Sequence, residues 1–344
     1  MHISKYAVLA SSAAIAAATT FVVVAQPASA ALTTRCTGEA GAVTVPGDLV
    51  VPADRSCVLV GTTVSGSVRV AAGADLVLEG ATIGGDLRAV DDAFVDAIDS
   101  TIGGQVLGRD QFGLYLEGSE VSGALLQRAR GTTEYDPFLY VFDTDAASLD
   151  SRAGEVFVES AELGSLFSVN GVYTDLFDTV IDGALTVRNN ELGGIVCESE
   201  IYGDAEYRGN GSVLQIGGSS ELSACEGASY WGGNVSFVNN SATDGFDISN
   251  NIVAGDLTGS GNDPLPTGSG NRVRGEIALE FAADDAEASI AQRSTMSLQS
   301  QELAEEVSAQ RGEELQQRIE QRRGAAEKDA AATPQRQALV PGNG

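Results

Sequence analysis

A short apolar phrase that returns every nineteen positions constrains this chain more than any other feature. Leu76 to Ala81 reads LVLEGA, Val95 to Ser100 reads VDAIDS and Leu114 to Ser119 reads LYLEGS, at intervals of 95 − 76 = 19 and 114 − 95 = 19. Inside each phrase two inward candidates are separated by one residue, which is the period of a strand. The pattern continues at looser spacing in Leu139 to Thr144 (LYVFDT), Val156 to Ala161 (VFVESA), Thr174 to Thr179 (TDLFDT), Gly194 to Ser199 (GIVCES) and Leu214 to Ser219 (LQIGGS). A helix cannot satisfy a period of two within segments and about twenty between them.

A second strand follows most of these corners, with an apolar residue, a turn containing glycine and another apolar residue. Val64, Gly66, Val68 is one instance; Ile83, Gly85, Leu87 and Ile102, Gly104, Val106 are the next two, and Val121, Ile181 and Ile201 open three more. One such coil cannot bury its apolar side alone, but coils stacked about 4.8 Å apart pair every backbone and share a core. The expected fold is all-β: a single-stranded parallel β-helix (β-solenoid) with coils of about twenty residues, followed by a C-terminal α-helix. Equal places in successive coils then become vertical files. Ala81, Ser100, Ser119, Thr144, Ala161, Thr179, Ser199 and Ser219 form a file of small residues at one corner, read as structural. An ice-binding array would need flat repeated Thr pairs, and only Thr63, Thr82 and Thr101 stack as Thr.

The ends set the compartment. Lys5, the small and apolar run Ala7 to Val24, and Ala28, Ser29, Ala30 have the layout of a secretory signal peptide, with the mature chain expected from Ala31. No later stretch is apolar enough to span a bilayer, so the protein is expected to be secreted, extracellular or associated with the cell wall. Cys36, Cys57, Cys197 and Cys225 suit an oxidising compartment. Cys36 and Cys57 are 57 − 36 = 21 apart, about one coil, so a bridge between adjacent turns is expected there; Cys197 and Cys225 pair by elimination.

Several chemistries are excluded. The sole histidine, His2, leaves with the signal, which removes Ser-His-Asp and Cys-His catalysis and His-ligated metals. There is no CxxC pair and no repeated GGxGxD motif, so neither a metal site nor a cofactor is expected. Without Lys5 the chain carries 20 − 1 = 19 basic residues against 48 acidic ones, a formal charge of 19 − 48 = −29. Such a surface repels nucleic acid and favours neutral or cationic partners, besides keeping the protein soluble.

The segment Asn251 to Gly275 (NIVAGDLTGSGNDPLPTGSGNRVRG) resembles the closing repeat of a group of secreted actinobacterial β-helix repeat proteins, in which N-x-V-x-G-[ND]-L turns flank a PxPTGxGN segment. The earlier V-x-G-x-V turns are similar to the same group, so the likeness covers roughly Cys36 to Gly275, and more broadly the pectate-lyase-like right-handed β-helix superfamily. The resemblance implies a fold and an exported location, with no settled activity. The chain departs from it in the long interval between Val121 and Leu163 and in ending on a charged tail.

From about Asp284 the strand pattern stops and Ala, Glu, Gln and Arg dominate. The boundaries are therefore a signal peptide over 1–30, the parallel β-helix over 31–281, a charged helix over 282–329 and a disordered tail over 330–344. Met296, Leu303, Val307, Leu315 and Ile319 give the helix a narrow apolar stripe. It could pack on the solenoid, self-associate with another copy, or stand in solvent.

Strand alternation puts Val77, Tyr115, Tyr140, Phe157 and Ile195 on the outside of one sheet, with Glu79, Glu117, Phe142, Glu159 and Phe177 in the next outward file. Aromatics beside carboxylates can stack on sugar rings while accepting bonds from hydroxyls. The expected ligand-binding residues are thus Tyr115, Tyr140, Phe142, Phe157, Phe177, Glu117, Glu159 and Asp175, unless the insertion around Tyr135 and Pro137 or the C-terminal helix covers them. Arg109, Arg128, Arg188 and Arg208 follow their turns at one offset of 109 − 102 = 128 − 121 = 7 and could give a lyase its base, or pair with acids along the stack. The leading expectation is a non-catalytic solenoid presenting a long surface for a glycan or a surface protein; the alternative is a polysaccharide-acting enzyme, a lyase or glycosidase, on the same face.

Overall fold

The computed structural model describes residues 33–130, 135–218, 225, 227–282, 316–334 and 338–341. The expected signal peptide, residues 283–315 of the expected helix (with Met296, Leu303, Val307 and Leu315), and Ser219 lie outside the described residues. The chain winds into a right-handed parallel β-solenoid of about twelve turns, with coils of about nineteen residues.

Each coil supplies three strands, for example Asp75–Glu79, Thr82–Ile83 and Leu87–Val90. Strands of the first kind stack into an eleven-stranded parallel sheet, and the other two kinds belong to a twenty-four-stranded sheet. The register follows the repeated phrases: Leu76 faces Val95, Val95 faces Leu114, and the file runs on through Leu139, Val156 and Thr174. Leu78, Ala97 and Leu116 are register neighbours and wholly buried, so the interior is one continuous apolar column. Within the irregular interval Val121 is followed in register by Ala146 and then Leu163, after a bulge between Val121 and Ala124. Alanine at the inward place leaves no apolar-glycine-apolar signature, which is why a complete coil reads there as a gap.

Two corners are held by side chains that bond the backbone of the adjoining coil. The Ser100, Ser119 and Thr144 hydroxyls each accept from the amide N–H one coil earlier, at 3.0–3.1 Å. The file continues through Ser199 to Ser229, which holds the place expected for Ser219 ten residues earlier in the chain. At another corner Asn190, Asn210, Asn240 and Asn262 form a buried ladder, each amide oxygen from Asn210 onward accepting the preceding backbone N–H at 3.0 Å. These bonds satisfy corner amides that no sheet neighbour reaches.

Disulfides join Cys36 to Cys57 and Cys197 to Cys225. The first locks the opening turn, worth about 3 kcal/mol for a loop of that length. Helix α1 (residues 316–332) lies along the outward face of the eleven-stranded sheet, packing Ile319 on Phe94, Phe138 and Tyr140, and Ala326 and Ala330 on Val58 and Val77. The expectation of a disordered tail over 330–344 is corrected by the chain beyond α1, where Leu339–Pro341 forms a strand antiparallel to Thr33–Cys36. That edge offers unpaired backbone groups, and the returning chain satisfies them. Among the described residues no helix is long and apolar enough to cross a membrane.

Candidate functional site

Three files of side chains point outward from the eleven-stranded sheet. The first contains Asp75, Phe94, Gly113, Phe138 and Glu155, the second Val77, Asp96, Tyr115, Tyr140, Phe157, Asp175 and Ile195, and the third Glu79, Ile98, Glu117, Phe142, Glu159 and Phe177. Gly113 leaves room for the Phe138 ring, which a Cβ would meet at 2.0 Å.

Three arginines on one side of α1 clamp it to these files. Arg318 bonds Glu155 at 2.7 Å and the Tyr140 hydroxyl at 3.3 Å, and its guanidinium lies 5.5 Å from the Phe138 ring centre. Tyr140 donates to Glu155 and lies 2.9 Å from the Tyr173 hydroxyl, so Glu155 is the hub of the cluster. Arg322 bonds Asp75 at 2.7 Å and the Asp92 carbonyl at 2.8 Å over the Phe112 ring. Arg323 bonds Asp96 at 3.1 Å, Glu327 at 2.9 Å, and Glu79. Asp329 accepts the Ser56 amide at 3.1 Å.

The clamp revises the expected ligand surface. Tyr140 points outward as alternation requires but is wholly buried under α1, and burial pushes its hydroxyl well above the ordinary pKa. Asp175 is also buried, accepting the Ile195 amide N–H at 2.9 Å. Neither is a surface contact for a ligand. Of the insertion, Tyr135 packs 5.4 Å from Phe112 and donates to Asp92 at 2.6 Å, beside the first file and away from the ring row.

Tyr115, Phe142, Phe157 and Phe177 remain half-buried, and their rings alternate between the second and third files to make a single row, with ring centres 5.4, 5.3 and 5.3 Å apart. The last three rings are within 27–29° of parallel to their neighbours, so their faces are taken by one another. A sugar has the edges and the ends of this row to pack on, not its inner faces. Beside the row, between the sheet and α1, is a groove of about 530 Å³. Among the described residues, Asp96, Glu117, Asp143, Glu159 and Glu320 line it, against the single guanidinium of Arg323.

The carboxylates differ in origin. Asp143 and Asp178 sit at φ 44° and 45°, in a corner file shared with Gly80, Asp99 and Gly118. Asp tolerates that left-handed backbone, so their presence is explained first by the turn. Glu117 and Glu159 have no such reason. Tyr115 donates to Glu117 at 2.8 Å, and Glu159 is pushed above the usual carboxylate range by burial and by the charges of Asp143 and Asp178. Asp96 is raised to about 6 because burial outweighs Arg323, and its Oδ1 has no hydrogen-bond partner.

Arg109 and Arg128 are register neighbours, as are Arg188 and Arg208, so the file of arginines exists, but on the other sheet. Arg128 pairs with Asp150 at 2.7 Å, and Arg188 and Arg208 both pair with Glu206. Sequence reasoning missed Phe94, Phe138 and Glu155 because the repeated phrase begins one residue after their file. It missed the clamp although Arg318 and Arg322 sit about one helical turn apart, with Arg323 next to the second. Among the described residues no group of three or more His, Cys, Asp or Glu is placed to hold a metal ion. Comparison with protein-family models, curated proteins and solved structures gives no match.

Proposed function

We propose that this is a secreted, non-catalytic β-solenoid that captures a glycan or protein partner at the cell exterior, with the groove beside α1 as its binding surface. The likeness of Asn251 to Gly275 to the secreted actinobacterial repeat group and the signal-like N-terminus support an exported, wall-associated setting, and the two disulfides are compatible with it. One observation carries the binding reading: the groove combines a rigid file of rings with carboxylates that outnumber its cations, while its one base, Arg323, is held by three acids. A lyase of this general fold would need a free base beside the substrate, and a glycosidase needs an accessible acid as well as a nucleophile or base. Of the groove's carboxyls, Asp96 is the one whose pKa is raised to about 6, and it is wholly buried under Arg323 and so withheld from a substrate.

The test is incubation of the purified protein with a panel of polysaccharides, with and without Ca²⁺, alongside binding measurements on the same panel. Binding without product is the expected result. Release of reducing or unsaturated ends would replace this reading with the enzymatic one.

A further inference from the structure

Resting on that capture reading, we propose that the groove's occupant is a basic segment of a partner polypeptide, with a lysine or arginine stem against the ring edges and its cationic head among Glu117, Asp143 and Glu159.

Three observations carry it. Among the described residues the groove holds five carboxylates and one guanidinium, and that guanidinium is committed to Asp96, Glu79 and Glu327. The charge left over is concentrated in Asp143, Glu159 and Asp178 on successive coils, close enough for Asp143 and Asp178 to raise the Glu159 pKa. Such repulsion is relieved by an incoming cation. At the inner end the buried Asp96 forms part of the groove wall and keeps Oδ1 without a donor, so Arg323 leaves the negative charge there only partly satisfied.

Shape selects among cations. Ile98, Ile319 and the ring edges of Phe142 and Phe157 form an apolar strip beside the acids. A long aliphatic stem ending in a charge uses both, whereas a bare metal ion uses only the acids. A neutral sugar meets stacked rings whose inner faces are occupied. By sequence, residues 283–315 carry Arg293 and Arg311 against a larger number of Asp and Glu, so that segment has net negative charge and not the positive charge that the groove lacks. The complementary charge therefore comes from another molecule, and the surplus of negative charge over the whole chain steers it in.

The experiment uses the disulfide-intact protein and three probes followed by fluorescence anisotropy at about 0.15 M salt: a labelled Lys-Gly repeat peptide, its acetyl-lysine counterpart and a neutral hexose oligomer. The lysine peptide is expected to bind and the acetylated one to fail. Asp143→Asn with Glu159→Gln should weaken binding about tenfold or more, with the circular dichroism spectrum unchanged. Glu120→Gln with Glu162→Gln removes the same charge from another face and should leave affinity within about twofold. Equal loss in both double variants, equal binding of the acetylated peptide, or no peptide binding overturns the proposal. Groove-dependent binding of the neutral oligomer alone overturns it while leaving the capture reading intact; product release from that oligomer removes the capture reading itself.

Discussion

Cys36 and Leu339 are register partners in an antiparallel strand pair, so the returning chain closes the same coil that Cys36 fastens to Cys57. Thr37 extends the closure by donating its amide to the Ala338 carbonyl at 2.9 Å. A solenoid exposes unpaired strands at its ends and needs something at each to stop edge-to-edge growth. Here the first end is capped by the residues beyond α1, and α1 also roofs the outward apolar side chains of the early coils.

Deleting residues 316–344 should therefore do two things. It uncovers the strand edge at Thr33–Cys36, and it exposes Val58, Val77 and Tyr140, which are buried under α1. Re-exposing these side chains costs on the order of 5 kcal/mol. Hydrogen exchange at the amides of Cys57 to Leu59 should accelerate, and sedimentation should report concentration-dependent association. A monomer with unchanged protection in the first coils would refute the capping role.

Arg318 and Glu155 supply a sharper test of the clamp. The Glu155 side chain is 14% exposed, and removing Arg318 leaves it to the hydroxyls of Tyr140 and Tyr173 alone. Arg318→Met should cost about 2–3 kcal/mol, less than a fully orphaned buried charge because those two donors remain. Adding Glu155→Met should recover much of the loss, since no charge is then buried without a partner. Urea unfolding of the two single variants and the double variant gives the coupling directly. Additive losses would mean that the pair does not act as a unit.

The fold was largely legible in the sequence because a solenoid repeats the same physical demand in every coil. Inward positions must be apolar and corners must turn, so Leu76, Val95 and Leu114 announce their own register. Where a demand is met by a different residue the signal fades: Ala146 hides a whole coil, and Ser229 takes the place expected for Ser219 after an interval that the periodicity does not encode. The site was less legible. Alternation assigned Tyr140 and Asp175 to the outside correctly as a direction, but exposure also depends on what comes to lie above. That is decided by three arginines far along the chain, and the return of α1 to the first coils is a long-range event with no repeat to reveal it.

The buried asparagines were also unread, although the paired pattern Asn189-Asn190, Gly209-Asn210, Asn239-Asn240 and Gly261-Asn262 recurs at each coil. Asn240 is the most committed of them. Its amide oxygen accepts from both the backbone and side chain of Asn210, and its amide nitrogen donates to the Tyr207 carbonyl and to Asn262. Asn240→Leu should cost about 2–4 kcal/mol, since it strands a buried backbone amide and a carbonyl together. Asn239, whose backbone sits at φ 53°, should tolerate Gly with a change below about 1 kcal/mol. Comparable losses at the two positions, in thermal or urea unfolding, would show that the ladder contributes nothing specific.

Asp96 predicts an unusual pH response. Burial raises its pKa to about 6 from the ordinary 3.8, despite the Arg323 bond at 3.1 Å. Between those values the folded protein holds a proton that the unfolded chain has released, so this group's contribution to stability falls as pH rises through the window. Its cost is complete above about pH 6 and amounts to ~3 kcal/mol, since (6 − 3.8) is multiplied by about 1.4 kcal/mol per pH step. Carboxylates such as Asp86, held low by Arg88, act in the opposite sense, so the measurement must be a difference. Asp96→Asn keeps the shape, removes the titration and should leave the protein more stable than the parent at pH 7. That advantage should shrink as pH falls toward about 4. A gap that stays constant, or widens on acidification, would mean that Arg323 fully compensates the buried charge and that the helix clamp at this point is an ordinary stabilising ion pair.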